Sequence, residues 1–145
     1  MKRLILTMPI VALAACATVP AATSSDGAEW IGSWGASPLP PSVEGSFFGA
    51  SPSFENQTIR HVVRLSAGGE QIRVRLTNEY GEEPLAVGAA SVALASPDGG
   101  LLGAPIPLTF SGSPAAQIAV TAPLLSDPVD LPVEDLGALS ISVFF

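Results

Sequence analysis

Hydrophobic and polar positions alternate most regularly between Asn56 and Leu85. Ile59, His61, Val63 and Leu65 fall on one side of an extended segment, and Arg60 and Arg64 fall on the other, at the two-residue period of a β-strand. Ile72, Val74 and Leu76 repeat the pattern against Arg73 and Arg75. Between the two runs lies Ser66-Ala67-Gly68-Gly69-Glu70, whose glycines can take the positive φ of a tight turn. The pattern predicts a β-hairpin with an aliphatic face turned to a core. Its other face would gather Arg60, Arg64, Arg73 and Arg75 and call for an acidic partner.

Downstream, Asn78-Glu79-Tyr80-Gly81 has the asparagine and glycine positions of a type I turn, and Leu85 to Ala95 continues as a strand through Val87, Val92 and Leu94. Gly99-Gly100, Pro105 and Pro107 break the next region. Further extended pieces are expected at Gln117 to Val120, around Pro123, Pro128 and Pro132, and at Leu139 to Phe145. Upstream, Ser37 to Phe54 is rich in proline, glycine and serine, with Phe47 and Phe48 adjacent, and reads as a long loop. No segment has the apolar spacing of an amphipathic helix. Short strands divided this densely by glycine and proline predict an all-β antiparallel domain of the β-sandwich or jelly-roll kind.

The first 15 residues follow a different rule. Lys2 and Arg3 precede an apolar stretch from Leu4 to Ala15, too short for the roughly 20 residues of a membrane helix, and Leu13-Ala14-Ala15 leads into Cys16. This reads as a bacterial lipoprotein signal over 1–15, in preference to an ordinary secretory peptide, with Cys16 lipidated and several acyl chains holding the protein to a membrane surface. Residues 16–28, small and polar, serve as a tether, and the β-domain occupies 29–145. The expected location is the cell envelope, at the outer membrane if the source is Gram-negative, or otherwise secreted.

Removal of the signal leaves four arginines and no lysine against 13 acidic residues. Phosphate neutralisation needs a basic surface, so no nucleic acid partner is expected. One histidine and one cysteine, the latter acylated, argue against disulfides, cysteine nucleophiles and a zinc site, and no cofactor is expected.

Trp30-Ile31-Gly32-Ser33-Trp34-Gly35-Ala36-Ser37-Pro38, together with Asn56 to Ala90 and more weakly Ser126 to Phe145, resembles the start of bacterial SGNH hydrolases, the GDSL-type lipases and acylhydrolases. The resemblance implies a β-rich accessory domain that precedes an esterase domain. The family's Gly-Asp-Ser and Asp-x-x-His blocks have no counterpart here: the nearest strings are Ser25-Asp26-Gly27 and Ser126-Asp127-Pro128, and His61 follows Thr58 at the relevant spacing. The implied partner is therefore an absent C-terminal esterase domain, with a carbohydrate ester as a candidate substrate. The apolar ending at Val143-Phe144-Phe145 gives the same expectation of a chain cut short. The chain alone is expected to be inactive.

Among individual residues, His61 alternates with Ile59 and Val63 and is expected as a packed, hydrogen-bonded core histidine rather than a general base. Glu82-Glu83 reads as a solvated turn rather than a glycosidase pair. Trp30 and Trp34 are expected in the core, with sugar stacking as the alternative, and the arginines are expected to pair with Glu55, Glu70, Glu79 or nearby carboxylates. Arg60, Arg64, Arg73, Arg75, Asn78, Glu79, Tyr80, Trp30 and Trp34 are the candidate interface or ligand contacts. Two further functions compete with the accessory domain: an independent carbohydrate-binding module, and a structural envelope lipoprotein.

Overall fold

A computed structural model describes residues 29–145. The segments expected as signal (1–15) and tether (16–28), Cys16 included, lie outside the described residues. Chain contacts divide the molecule into Met1–Ile31 and Gly32–Phe145, and the second unit carries every strand. These are β1 (Thr58–Arg64), β2 (Gly69–Ile72), β3 (Arg75–Thr77), β4 (Leu85–Val87), β5 (Ala89–Ala95), β6 (Ile106–Pro107), β7 (Ala116–Ile118), β8 (Pro123–Leu125), β9 (Val129–Val133) and β10 (Ala138–Phe144). The described residues contain no helix, every strand pairing is antiparallel, and the fold is all-β.

The hairpin expected between the first two strands does not form. β1 pairs instead with β10, from Thr58 opposite Phe144 to Arg64 opposite Ala138, within a four-stranded sheet ordered β1-β10-β5-β6. β2 pairs with β9, β3 with β8 and β4 with β7. These three short ladders are one interrupted pairing in which the chain from Gly69 to Val87 runs against the chain from Val133 back to Ala116.

Two of the irregularities have a local cause. Between β2 and β3 the ladder opens at Val74, and Ser126 closes the gap: its N–H donates to Val74 O at 2.9 Å and its Oγ accepts from Val74 N at 2.9 Å. Beside β2 a register shift falls between Gly69 and Gln71, opposite the stretch of β9 that contains Pro132, so the residue lacking an N–H sits at a bulge.

Gly68 has a different purpose from the one its sequence suggests. It is not among the positive-φ residues; a Cβ there would collide with the backbone of Val133, Glu134 and Asp135, and its N–H donates to Asp135 Oδ1 at 2.7 Å. Close approach between two backbones, rather than a tight turn, requires this glycine. Gly88 acts similarly where β4 passes into β5: its N–H donates to Phe144 O, and a Cβ would meet the Phe144 ring.

One core joins the four-stranded sheet to the interrupted ladder. Val63 of β1, Val92 of β5, and Leu139 and Val143 of β10 pack with Val74, Val87 of β4, Ile118 of β7, Val129 and Val133. Leu108 and Phe110, just after β6, complete it. Each aliphatic side chain so buried contributes about 1.5–3 kcal/mol relative to exposure. The outer face of the central strands is built of small residues, with Ala93 and Ser140 both buried; the Ser140 hydroxyl has no hydrogen-bond partner.

Candidate functional site

β1 is an edge strand, and the side it turns toward the core is only half covered. Val63 is buried, Ile59 is half-buried and His61 is exposed, although all three share that side. The result is a cleft of about 200 Å³. Ile59, His61 and Val63 form one wall with Ile141, Val143 and Phe145, and Val74, Arg75 and Leu76 form the other. Trp34 stands at its border.

Trp34 is held there by its neighbour. Ser33 O accepts from Ser66 N at 2.9 Å and from Ser66 Oγ at 2.8 Å, while Ser33 Oγ donates to Ala67 O at 2.5 Å and accepts from Ala67 N at 3.0 Å. Four hydrogen bonds thus tie the segment before the long loop to the connection between β1 and β2. Trp34 remains 52 % exposed, against the expectation of a core tryptophan, because the edge of β1 offers it a wall on one side only. Trp30, also expected in the core, is exposed and belongs to the first unit.

His61 is likewise not the packed, hydrogen-bonded histidine that its alternation suggests. It points into the open cleft and has no hydrogen-bond partner among the described residues. Serine acylation requires a nucleophile, a base and an orienting group in mutual hydrogen-bond reach. His61 has neither a serine nor a carboxylate in that position.

The four arginines do not form one face, since β1 pairs with β10 and not with the segment from β2 to β3 that carries the other two. Arg60 Nε donates to Ser142 Oγ, across the β1–β10 pairing, at 3.1 Å. Arg64 Nε donates to Leu136 O at 3.1 Å. Both bonds go to neutral oxygens instead of the expected glutamates. Arg73 is half-buried, and its charge acts on Asp127. Arg75 lines the cleft and has neither a hydrogen bond nor an ion pair among the described residues. None of the residues lining the cleft is acidic.

The turn Asn78–Gly81 closes with Gly81 N donating to Asn78 O at 3.3 Å, as its sequence predicts. Asn78 itself is buried, and Nδ2 donates to Glu83 O at 2.8 Å and Ile118 O at 3.3 Å. Its amide protons are spent on the protein's own backbone. Glu79 and Tyr80, at the tip, are exposed, as are Glu82 and Glu83.

Two carboxylates have built environments of their own. The Asp127 carboxyl is held below its ordinary range chiefly by the Thr109 hydroxyl, which donates to it at 2.6 Å, and then by the Gly112 amide; burial opposes this, and the Ser111 amide and the Arg73 charge add to the lowering. Asp98 is lowered chiefly by the Ser96 hydroxyl. Both bind turns and lie outside the cleft.

Sequence reasoning singled out His61, Trp34 and Arg75 separately and missed that they share a cleft. The signal was present in their neighbours: Ile59, Val63, Val74 and Leu76 flank all but the tryptophan. Among the described residues there is no group of three or more metal-ligating side chains, and no helix long and apolar enough to cross a membrane. Compared with known protein families and curated proteins, the chain matches no family model and no curated protein.

Proposed function

We propose that this chain is the non-catalytic, envelope-anchored β-domain of an SGNH or GDSL-type ester hydrolase, packing against an acyl-hydrolysing domain and orienting its substrate. The observation that carries the reading is the half-covered inner side of β1 and β10, where Ile59, His61, Ile141 and Phe145 border an open apolar cleft. An edge of that kind is what a second domain would cover. Covering such apolar surface contributes about 25 cal/mol per Å² removed from water. The resemblance of Trp30 to Pro38 and Asn56 to Ala90 supplies the identity of that domain. Cys16 supplies the anchor.

The test has two parts. In the reading frame beyond the codon for Phe145, an in-frame Gly-Asp-Ser followed later by Asp-x-x-His is expected, and the longer protein should hydrolyse aryl esters while the present chain does not. Turnover by this chain alone that survives repurification and is lost in a single serine variant would defeat the proposal. For the anchor, expression in a bacterium should give membrane-associated protein that takes up labelled fatty acid, with no label in Cys16→Ala.

One observation favours a second reading, an independent carbohydrate-binding module. Trp34 presents half of its surface beside the cleft, and aromatic rings exposed in this way stack on sugars. Quenching of Trp34 fluorescence by neutral oligosaccharides, absent in Trp34→Ala, would favour it.

A further inference from the structure

We infer that the cleft between β1 and β3 is a binding site for a small amphiphilic monocarboxylate, with Arg75 holding the carboxylate and the aliphatic walls holding a short acyl chain or a single ring. This concerns the present chain alone, with its cleft open, and does not rest on the esterase reading; a domain packed over the cleft would occupy the same surface.

Three observations point to that ligand class. The first is size: about 200 Å³ is somewhat more than the roughly 150 Å³ of an apolar cavity that accepts benzene, so the space suits one ring or a chain of a few carbons. The second is lining: apart from His61 and Arg75, the two walls are aliphatic or aromatic. A site of this kind gains affinity from apolar burial and orientation from a few polar groups.

The third is charge. The chain has 13 acidic residues and a formal charge of −7, yet no carboxylate pairs with Arg75 among the described residues and none lines the cleft. Arg60 and Arg64, on the other side of β1, are engaged by Ser142 and Leu136. Arg75 thus lines an apolar cleft, and its guanidinium donors are not engaged elsewhere among the described residues. A planar fork of N–H donors matches a carboxylate in two parallel bonds, which a neutral head group cannot reproduce. His61, opposite, can donate one further ring N–H in its neutral form.

Isothermal titration of the full chain with hexanoate, and with hexanamide as an uncharged match, tests the inference. Hexanoate is expected to bind with a Kd below about 1 mM, at least ~10-fold more tightly than the amide, a difference within the range for a charge-assisted pair. Arg75→Gln should weaken hexanoate ~10-fold and leave the amide unchanged. Arg75→Lys should fall between, because it retains the charge and loses the fork, and Arg60→Gln should match the wild type. Thermal unfolding of each variant separates lost binding from lost fold, and chemical-shift changes of the His61 ring on adding hexanoate to the wild type give a readout that needs no variant. Equal affinity for acid and amide, unchanged binding in Arg75→Gln, or no heat and no His61 response at 10 mM hexanoate would overturn the assignment.

Discussion

Replacing Asn78 by alanine removes two hydrogen bonds that hold the turn after β3 against β7, and the structure indicates how much that should matter. The bond to Glu83 O, at 2.8 Å, ends on an exposed residue whose carbonyl can turn to water; its net loss is about 1 kcal/mol. The bond to Ile118 O is longer, at 3.3 Å, but lies in the interior, where a carbonyl deprived of a partner costs about 1–2 kcal/mol. Asn78→Ala should therefore destabilise by about 2–3 kcal/mol. For a domain of this size that corresponds to roughly a 10 °C fall in Tm. Asn78→Asp should be worse, since a carboxylate cannot donate and would face two carbonyl oxygens.

Gly81 makes the test sharper. A Cβ on Gly81 would overlap Asn78 Oδ1, so Gly81→Ala must expel the amide from its site and should cost about as much as Asn78→Ala. Gly81 is not among the positive-φ residues, so alanine carries no backbone strain there. In the double variant the obstruction is gone, and the total should remain near 2–3 kcal/mol instead of doubling, a coupling of about 2 kcal/mol. Urea unfolding of the four proteins measures the cycle. Additive losses would show that the two residues act independently, and an Asn78→Asp protein as stable as the wild type would show that the amide bonds contribute nothing.

Three other changes follow from single features. Ser140→Ala should be neutral or stabilising by up to about 1 kcal/mol, because it removes a buried hydroxyl without a partner; a loss above 1 kcal/mol in the same urea assay would mean that the hydroxyl is satisfied. Leu136 is exposed and held at φ 59°, so Leu136→Asn should raise stability by about 1 kcal/mol, whereas a lower Tm would show that the leucine side chain matters more than its strained backbone. Asp127 is held below its usual pKa of 3.8 by the Thr109 hydroxyl first and then by the amides of Gly112 and Ser111. Protonating a group whose folded pKa is depressed releases those bonds, so its contribution is complete above pH 3.8 and is lost as pH falls through the folded value. Asp127→Asn should flatten the decline of the unfolding midpoint between pH 5 and 2, and an unchanged slope would assign the acid sensitivity elsewhere.

How much of this was legible in the chain depends on the range of the interaction. Alternation at Ile59 to Leu65, Leu85 to Ala95 and Leu139 to Phe145 marks β1, β4 with β5, and β10, because a strand's period is written in its own residues. The Asn78–Gly81 turn is equally local. Pairing is not: β1 chose β10, about 80 residues away, over the strand immediately following it, and no feature of Ser66 to Glu70 records that choice. Gly68 would read the same for either outcome, since glycine serves a positive φ and a close backbone approach alike. The ladder from Gly69 to Val87 was obscured by its partner, where prolines at 123, 128 and 132 interrupt the pattern and only the observed register shows Pro123 starting a strand and Pro132 at a bulge.

The candidate site failed to declare itself for a related reason. Periodicity correctly puts His61 on the side of β1 that carries Val63, but it cannot say how far the opposing layer extends over that side. Cover is complete at Val63 and incomplete at His61, only two residues away. The inference from shared side to shared burial therefore breaks down at a sheet edge, where position along the strand decides exposure as much as the face does. Edge strands are where unpaired groups and half-covered side chains meet solvent, and there a histidine, an arginine and a tryptophan from three separate segments can meet across one cleft. Reading alternation as a core signature is thus soundest for β5 and β10, which have neighbours on both sides, and weakest for β1, which lies at the edge of its sheet.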